Sequence, residues 1–164
     1  MSPVPPILVL GLGNSMAGDD AVGLAAARAL REVLQPEVEV IETGEAGLAL
    51  LDLVAGRTHL LVLDSVVTDQ VPAGTVLRFS LTDLKPVQVL APHYAGIPDL
   101  VRVAETYGIP FPAKVQALAV AIRQPSELRE GLSPQVEQAV SEVVQRAQTI
   151  LARWISEVYS RQPA

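Results

Sequence analysis

The chain has 164 residues, 49% of them hydrophobic, with 12 basic and 18 acidic residues, a formal net charge of −6 and no cysteine. That length suits one domain over residues 1–164 with a sizeable core, and the missing thiols exclude disulfides, cysteine nucleophiles, Fe–S clusters and cysteine-rich zinc sites. The charge lacks the basic footprint of a nucleic-acid binder, and no apolar run reaches a signal-peptide core or a membrane span, so a cytoplasmic protein without membrane insertion is expected.

Ile7 to Leu10 is a continuous apolar run ended by Gly11, the pattern of a parallel strand buried on both faces. From Asp20, the residues Val22, Ala25, Ala26, Leu30, Val33 and Leu34 recur at helical spacing as far as Pro36, with Asp19 or Asp20 expected to cap the helix. Val38 to Glu42 reads as a second strand, Leu48 to Val54 as a second helix, and His59 to Leu63 as a third strand with Asp64 at its exit. Only about ten residues then separate the third strand from Thr75 to Ser80, too few for a helical crossover, which predicts an antiparallel strand at a sheet edge. A helix from Pro98 to Tyr107, a last strand from Lys114 to Ile122 and a long helix opened by Ser133 and Pro134 complete the order. The sum is an α/β/α sandwich of three layers over a mainly parallel five-stranded sheet with one antiparallel edge strand.

Ligands of open α/β sheets settle at the carboxyl ends of the strands, where neighbouring crossovers diverge. Topology brings four features to that edge: the loop from Gly11 to Asp20, the loop from Glu42 to Glu45, Asp64, and His93. Asp20, Asp64 and His93 would make a set of two carboxylates and one imidazole suited to zinc, nickel or a similar divalent ion with positions left open. Simpler roles compete at each: a turn cap for Asp64, a helix cap for Asp19 and Asp20, a packed imidazole for His93. His59 starts the strand that Asp64 ends, so about 16 Å separates them and His59 belongs to the opposite edge.

Two other patterns fall short. Gly11, Gly13 and Met16 break the dinucleotide fingerprint at its third glycine, and paired aspartates at a helix start oppose a pyrophosphate. Ser15 resembles the nucleophile of a strand-turn-helix elbow, and Ser15, Asp64 and His93 keep a hydrolase order, but Ala17 replaces the usual glycine and no oxyanion-hole loop is evident.

Taken in order, Gly11-Leu-Gly13-Asn14, Gly18-Asp19-Asp20-Ala-Val-Gly23, Leu61-Val-Leu-Asp64, Pro92-His93 and Gly131-Leu-Ser-Pro134 resemble the [NiFe]-hydrogenase maturation endopeptidases over essentially the whole chain. The resemblance implies an enzyme that removes a C-terminal extension from a hydrogenase large-subunit precursor after nickel insertion. It places the metal-binding and catalytic positions on Asp20, Asp64 and His93, engaging the precursor's nickel or a divalent ion such as zinc or cadmium in its stead. The second loop, from Glu42 to Gly47, departs from the family's aspartate, glycines and threonine. A serine hydrolase using Ser15 and a chaperone that binds the precursor's metal centre without cutting are the alternatives.

Overall fold

The computed structural model describes residues 3–80 and 96–160. The elements run β1 (Ile7–Leu12), a 3-10 turn (Gly18–Ala21), α1 (Val22–Arg31), β2 (Val38–Thr43), α2 (Ala49–Val54), β3 (His59–Val67), β4 (Val76–Ser80), α3 (Gly96–Tyr107), β5 (Lys114–Ile122) and α4 (Pro134–Tyr159). One sheet of five strands has the order β2-β1-β3-β5-β4. Four strands are parallel, and β4 pairs antiparallel with β5 at the edge, as the short connection predicts.

Successive strand residues face opposite layers, so each strand feeds two cores. Ile7, Val9, Leu61, Leu63, Leu118 and Val120 pack under Val22, Ala26 and Leu30 of α1 and Val143, Ala147 and Trp154 of α4. Leu8, Leu10, Leu60, Val62, Val115 and Ala117 meet Leu50 and Val54 of α2 and Leu100 of α3 on the other face. Burial on both sides explains why the strands read as unbroken apolar runs.

The chain passes from β1 to β2 on one side and then to β3 on the other, with α1 and α2 on opposite faces. The crossovers therefore diverge between β1 and β3, which opens a crevice at the carboxyl ends of those two strands.

Three differences from the sequence reading bear on the site and its surroundings. β3 does not stop at Leu63: it continues to Val67, because β5 runs beside it to Ile122, with Asp64 opposite Ala119 and Ser65 opposite Val120. Asp64 thus lies inside a strand rather than at its exit. Neither Asp19 nor Asp20 caps α1, which follows directly on the 3-10 turn without a side-chain cap. α3 begins at Gly96, two residues before Pro98, which sits in the first turn where backbone N–H groups have no helical partner.

Candidate active site at the carboxyl ends of β1 and β3

Glycines bring the crevice walls together. A Cβ on Gly23 of α1 would lie 2.3 Å from the Leu12 carbonyl oxygen, 2.4 Å from that of Leu63 and 3.0 Å from the Asp64 Cα. A Cβ on Gly13 would lie 2.4 Å from the Asp20 carbonyl oxygen. The role of these two glycines is close backbone packing of α1 and the 3-10 turn onto the strand ends.

Pairing of β1 with β3 ends at Gly11 opposite Leu63, so that edge of β3 has no β1 partner from Asp64 onward. The Ser65 amide donates to Asp64 Oδ1 at 2.7 Å, and the Ser65 hydroxyl donates to Asp20 Oδ1, also at 2.7 Å. Asp20 Oδ2 accepts from the Asn14 amide at 3.0 Å, which ties the first loop into a closed turn. One serine therefore contacts both candidate carboxylates.

Asp64 is 2% exposed and its Oδ2 is buried without a hydrogen-bond partner among the described residues. Burial pushes its pKa well above the usual carboxylate range; the Ser65 amide opposes that rise and the nearby Asp20 charge adds to it. A cation or a proton at Asp64 would relieve the same penalty. The orphaned oxygen and the paired carboxylates fit a divalent ion.

Asp19 turns elsewhere. Its Oδ1 accepts from the Ser133 amide at 2.6 Å and its Oδ2 from the Ser133 hydroxyl at 2.8 Å, which fastens the start of α4 to the first loop. Ser133 occupies the N-cap position of α4 as expected, but its hydroxyl serves Asp19 rather than the helix. Glu42 is also committed, accepting from Arg28 and Arg31 of α1 at 2.8 Å each. Ser15 is exposed in a turn, with no side-chain hydrogen bond among the described residues. His93 lies outside the described residues, and no group of three or more metal-ligating side chains occurs among those described.

Ser65 is the residue that sequence reasoning passed over. Its signal was the polar pair Asp64-Ser65 set between Leu63 and Val66, which marks a break in an apolar strand without saying what fills it.

A family model for the hydrogenase maturation proteases (HycI) matches residues 24–150, a span that includes Asp64 and begins just after Asp20. The hydrogenase 2 maturation protease of Escherichia coli K12 is 33% identical over 144 residues, covering 85% of this chain and 87% of that protein. The hydrogenase expression/formation protein HupD of Thiocapsa roseopersicina is 28% identical across 92% of this chain and 69% of its own length. Among solved structures, the hydrogenase maturating endopeptidase HybD of E. coli matches with a TM-score of 0.76 and 29% identity over 90% of this chain and 92% of that one. HybD of Thermococcus kodakarensis shares the fold at a TM-score of 0.72 and 24% identity, covering 88% of this chain and 97% of that one.

Proposed function

Because this chain belongs to the hydrogenase maturation protease family, we propose that it is the endopeptidase that trims the C-terminal extension of a [NiFe]-hydrogenase large-subunit precursor after nickel insertion. Asp20, Asp64 and His93 serve as the ligands that engage the metal, the precursor's nickel being the one presented to them. The observation that carries this reading is the Asp20-Ser65-Asp64 contact, with a buried Asp64 oxygen that has no hydrogen-bond partner among the described residues at the carboxyl ends of β1 and β3.

A divalent ion at such a site polarises a carbonyl and makes water acidic. The chain's own residues set the stage for it. Asn14 and Ser65 hold Asp20 by one hydrogen bond on each oxygen. The Ser65 amide fixes Asp64 by Oδ1, leaving Oδ2 to face a cation or hold a proton. Nickel borne by the precursor makes cutting conditional on prior metal insertion.

Mass spectrometry of a nickel-loaded precursor, before and after incubation, tests the reading. Wild-type protein is expected to shorten the precursor. Asp20→Asn, Asp64→Asn and His93→Ala should each slow the cut by more than about a hundredfold, beyond the loss usual for a group that only supports a ligand. Normal processing by any of the three overturns its assignment. A stable complex with wild-type protein and no change in mass would favour the non-cutting chaperone, and loss of cutting in Ser15→Ala would favour a serine hydrolase.

A further inference from the structure

We propose that the cleft beside the Asp20 loop is a carboxylate-binding subsite for the peptide extension of the precursor, an inference that rests on the endopeptidase reading above. The segment after β5 is locked to the first loop: the Arg129 amide donates to the Met16 carbonyl and the Gly18 amide to the Arg129 carbonyl, both at 2.8 Å, forming a parallel bridge between Ala17 and Arg129. Under that bridge lies a cleft of about 180 Å³ whose walls include Gly18, Asp19, Arg123, Glu127 and Arg129.

Two arginines, Arg123 and Arg129, are among the residues lining this small space. Arg123 donates one N–H to the Thr68 carbonyl oxygen at the end of the β3 strand, which anchors it with donors to spare. Arg129 has no side-chain partner among the described residues, and its Nε would lie 3.9 Å from a Cβ on Gly18. Gly18 has φ +57, so a side chain is disfavoured there and the cleft floor stays bare.

The acids in the walls pair with neither arginine. Both Asp19 oxygens are occupied by Ser133, and Glu127 forms no ion pair with either arginine. A planar guanidinium matches a carboxylate with two parallel hydrogen bonds, so the complementary ligand is a carboxylate. Met16 at 46% and Leu128 at 81% exposure flank the bridge, giving apolar contact to residues beside that acid. The cleft wall includes Asp19, next in the chain to Asp20, which puts a peptide held here beside the first loop. Its carboxylate comes either from an acidic side chain of the extension or from the free C-terminus.

Fluorescence anisotropy with a labelled synthetic peptide spanning the precursor's extension reads binding apart from cutting. Wild-type protein is expected to bind saturably, Arg129→Glu about tenfold more weakly because attraction is replaced by repulsion, and Arg129→Lys to keep part of the affinity. Amidating the peptide's C-terminus, and separately replacing its acidic residues by their amides, tells the two sources apart; weakened binding in either arm supports the subsite. No saturable binding by wild-type protein, no loss in either arm, or unchanged binding by Arg129→Glu overturns it. Arg129-dependent binding without any cutting of the nickel-loaded precursor would sink the endopeptidase reading and leave the subsite standing, whereas cutting by Arg129→Glu with an unchanged KM would sink the subsite alone.

Discussion

Asp19 and Asp20 are neighbours in sequence with opposite commitments. Asp20 faces the crevice through Ser65, while Asp19 spends both oxygens on Ser133, far along the chain. Asp19→Ala should therefore be felt first as lost stability, by about 1–3 kcal/mol for two hydrogen bonds to a charged acceptor, measured by urea unfolding. Asp20→Asn, whose amide oxygen can accept from the Asn14 backbone N–H while its NH2 donates to the Ser65 hydroxyl oxygen, should unfold near the wild-type midpoint. Equal stability losses in the two variants would contradict the division. The sequence singles out the pair but predicts that one of them caps α1; the partner of Asp19 was not legible there. Capping rules look only to the next helix, and the helix held by Asp19 begins at Pro134. Ser65 was hidden for a similar reason, since its importance comes from two side chains converging on it across a sheet edge.

At the scale of elements, most of the architecture was readable because two-sided burial writes parallel strands as apolar runs. β3 is the instructive exception: Asp64 and Ser65 interrupt its run, yet β5 extends the pairing to Val67 through the small residues Ala119 and Ala121. The overhang past β1 makes the candidate site, because it is the part of β3 that β1 leaves unpaired. Gly23 sets how closely α1 can approach this point. Gly23→Ala would push a methyl against the carbonyl oxygens of Leu12 and Leu63, neither of which can rotate away. The expected cost is about 1–3 kcal/mol, and a chain of this size loses about 2–4 °C of Tm per kcal/mol. Calorimetry showing an unchanged Tm would mean that the helix can slide without penalty.

Across the whole molecule the sheet has one edge organised around carboxylates and an opposite edge organised around an imidazole. His59 and Lys114 are paired in register at the amino ends of β3 and β5, beneath the far end of α4. There the His59 ring lies 5.1 Å from the Trp154 ring, its Nδ1 is 2.7 Å from the Thr58 hydroxyl, and Lys114 is hydrogen-bonded to Glu157. Glu157 Oε2 stays 3.6 Å from His59 Nε2, which is buried without a hydrogen bond among the described residues. Burial lowers the His59 pKa below 6.5, against the upward pull of Glu157 and with Lys114 adding to the fall. A histidine whose folded pKa lies below its unfolded one favours the folded state fully only above the unfolded value. That contribution is lost as pH drops below about 6.5 and through the folded pKa, because the unfolded chain then binds the proton more readily. His59→Asn keeps a polar contact for Thr58 but cannot titrate, so it should be less stable than wild type at pH 8, with the gap narrowing as the pH is lowered toward 5. Urea unfolding of both proteins across that range provides the measurement, and a gap that stays constant or widens on acidification would show that His59 is not held neutral by burial. The imidazole that reports on stability is thus at the edge away from Asp20 and Asp64, so acid should weaken the attachment of α4 through a group that takes no part in the proposed chemistry.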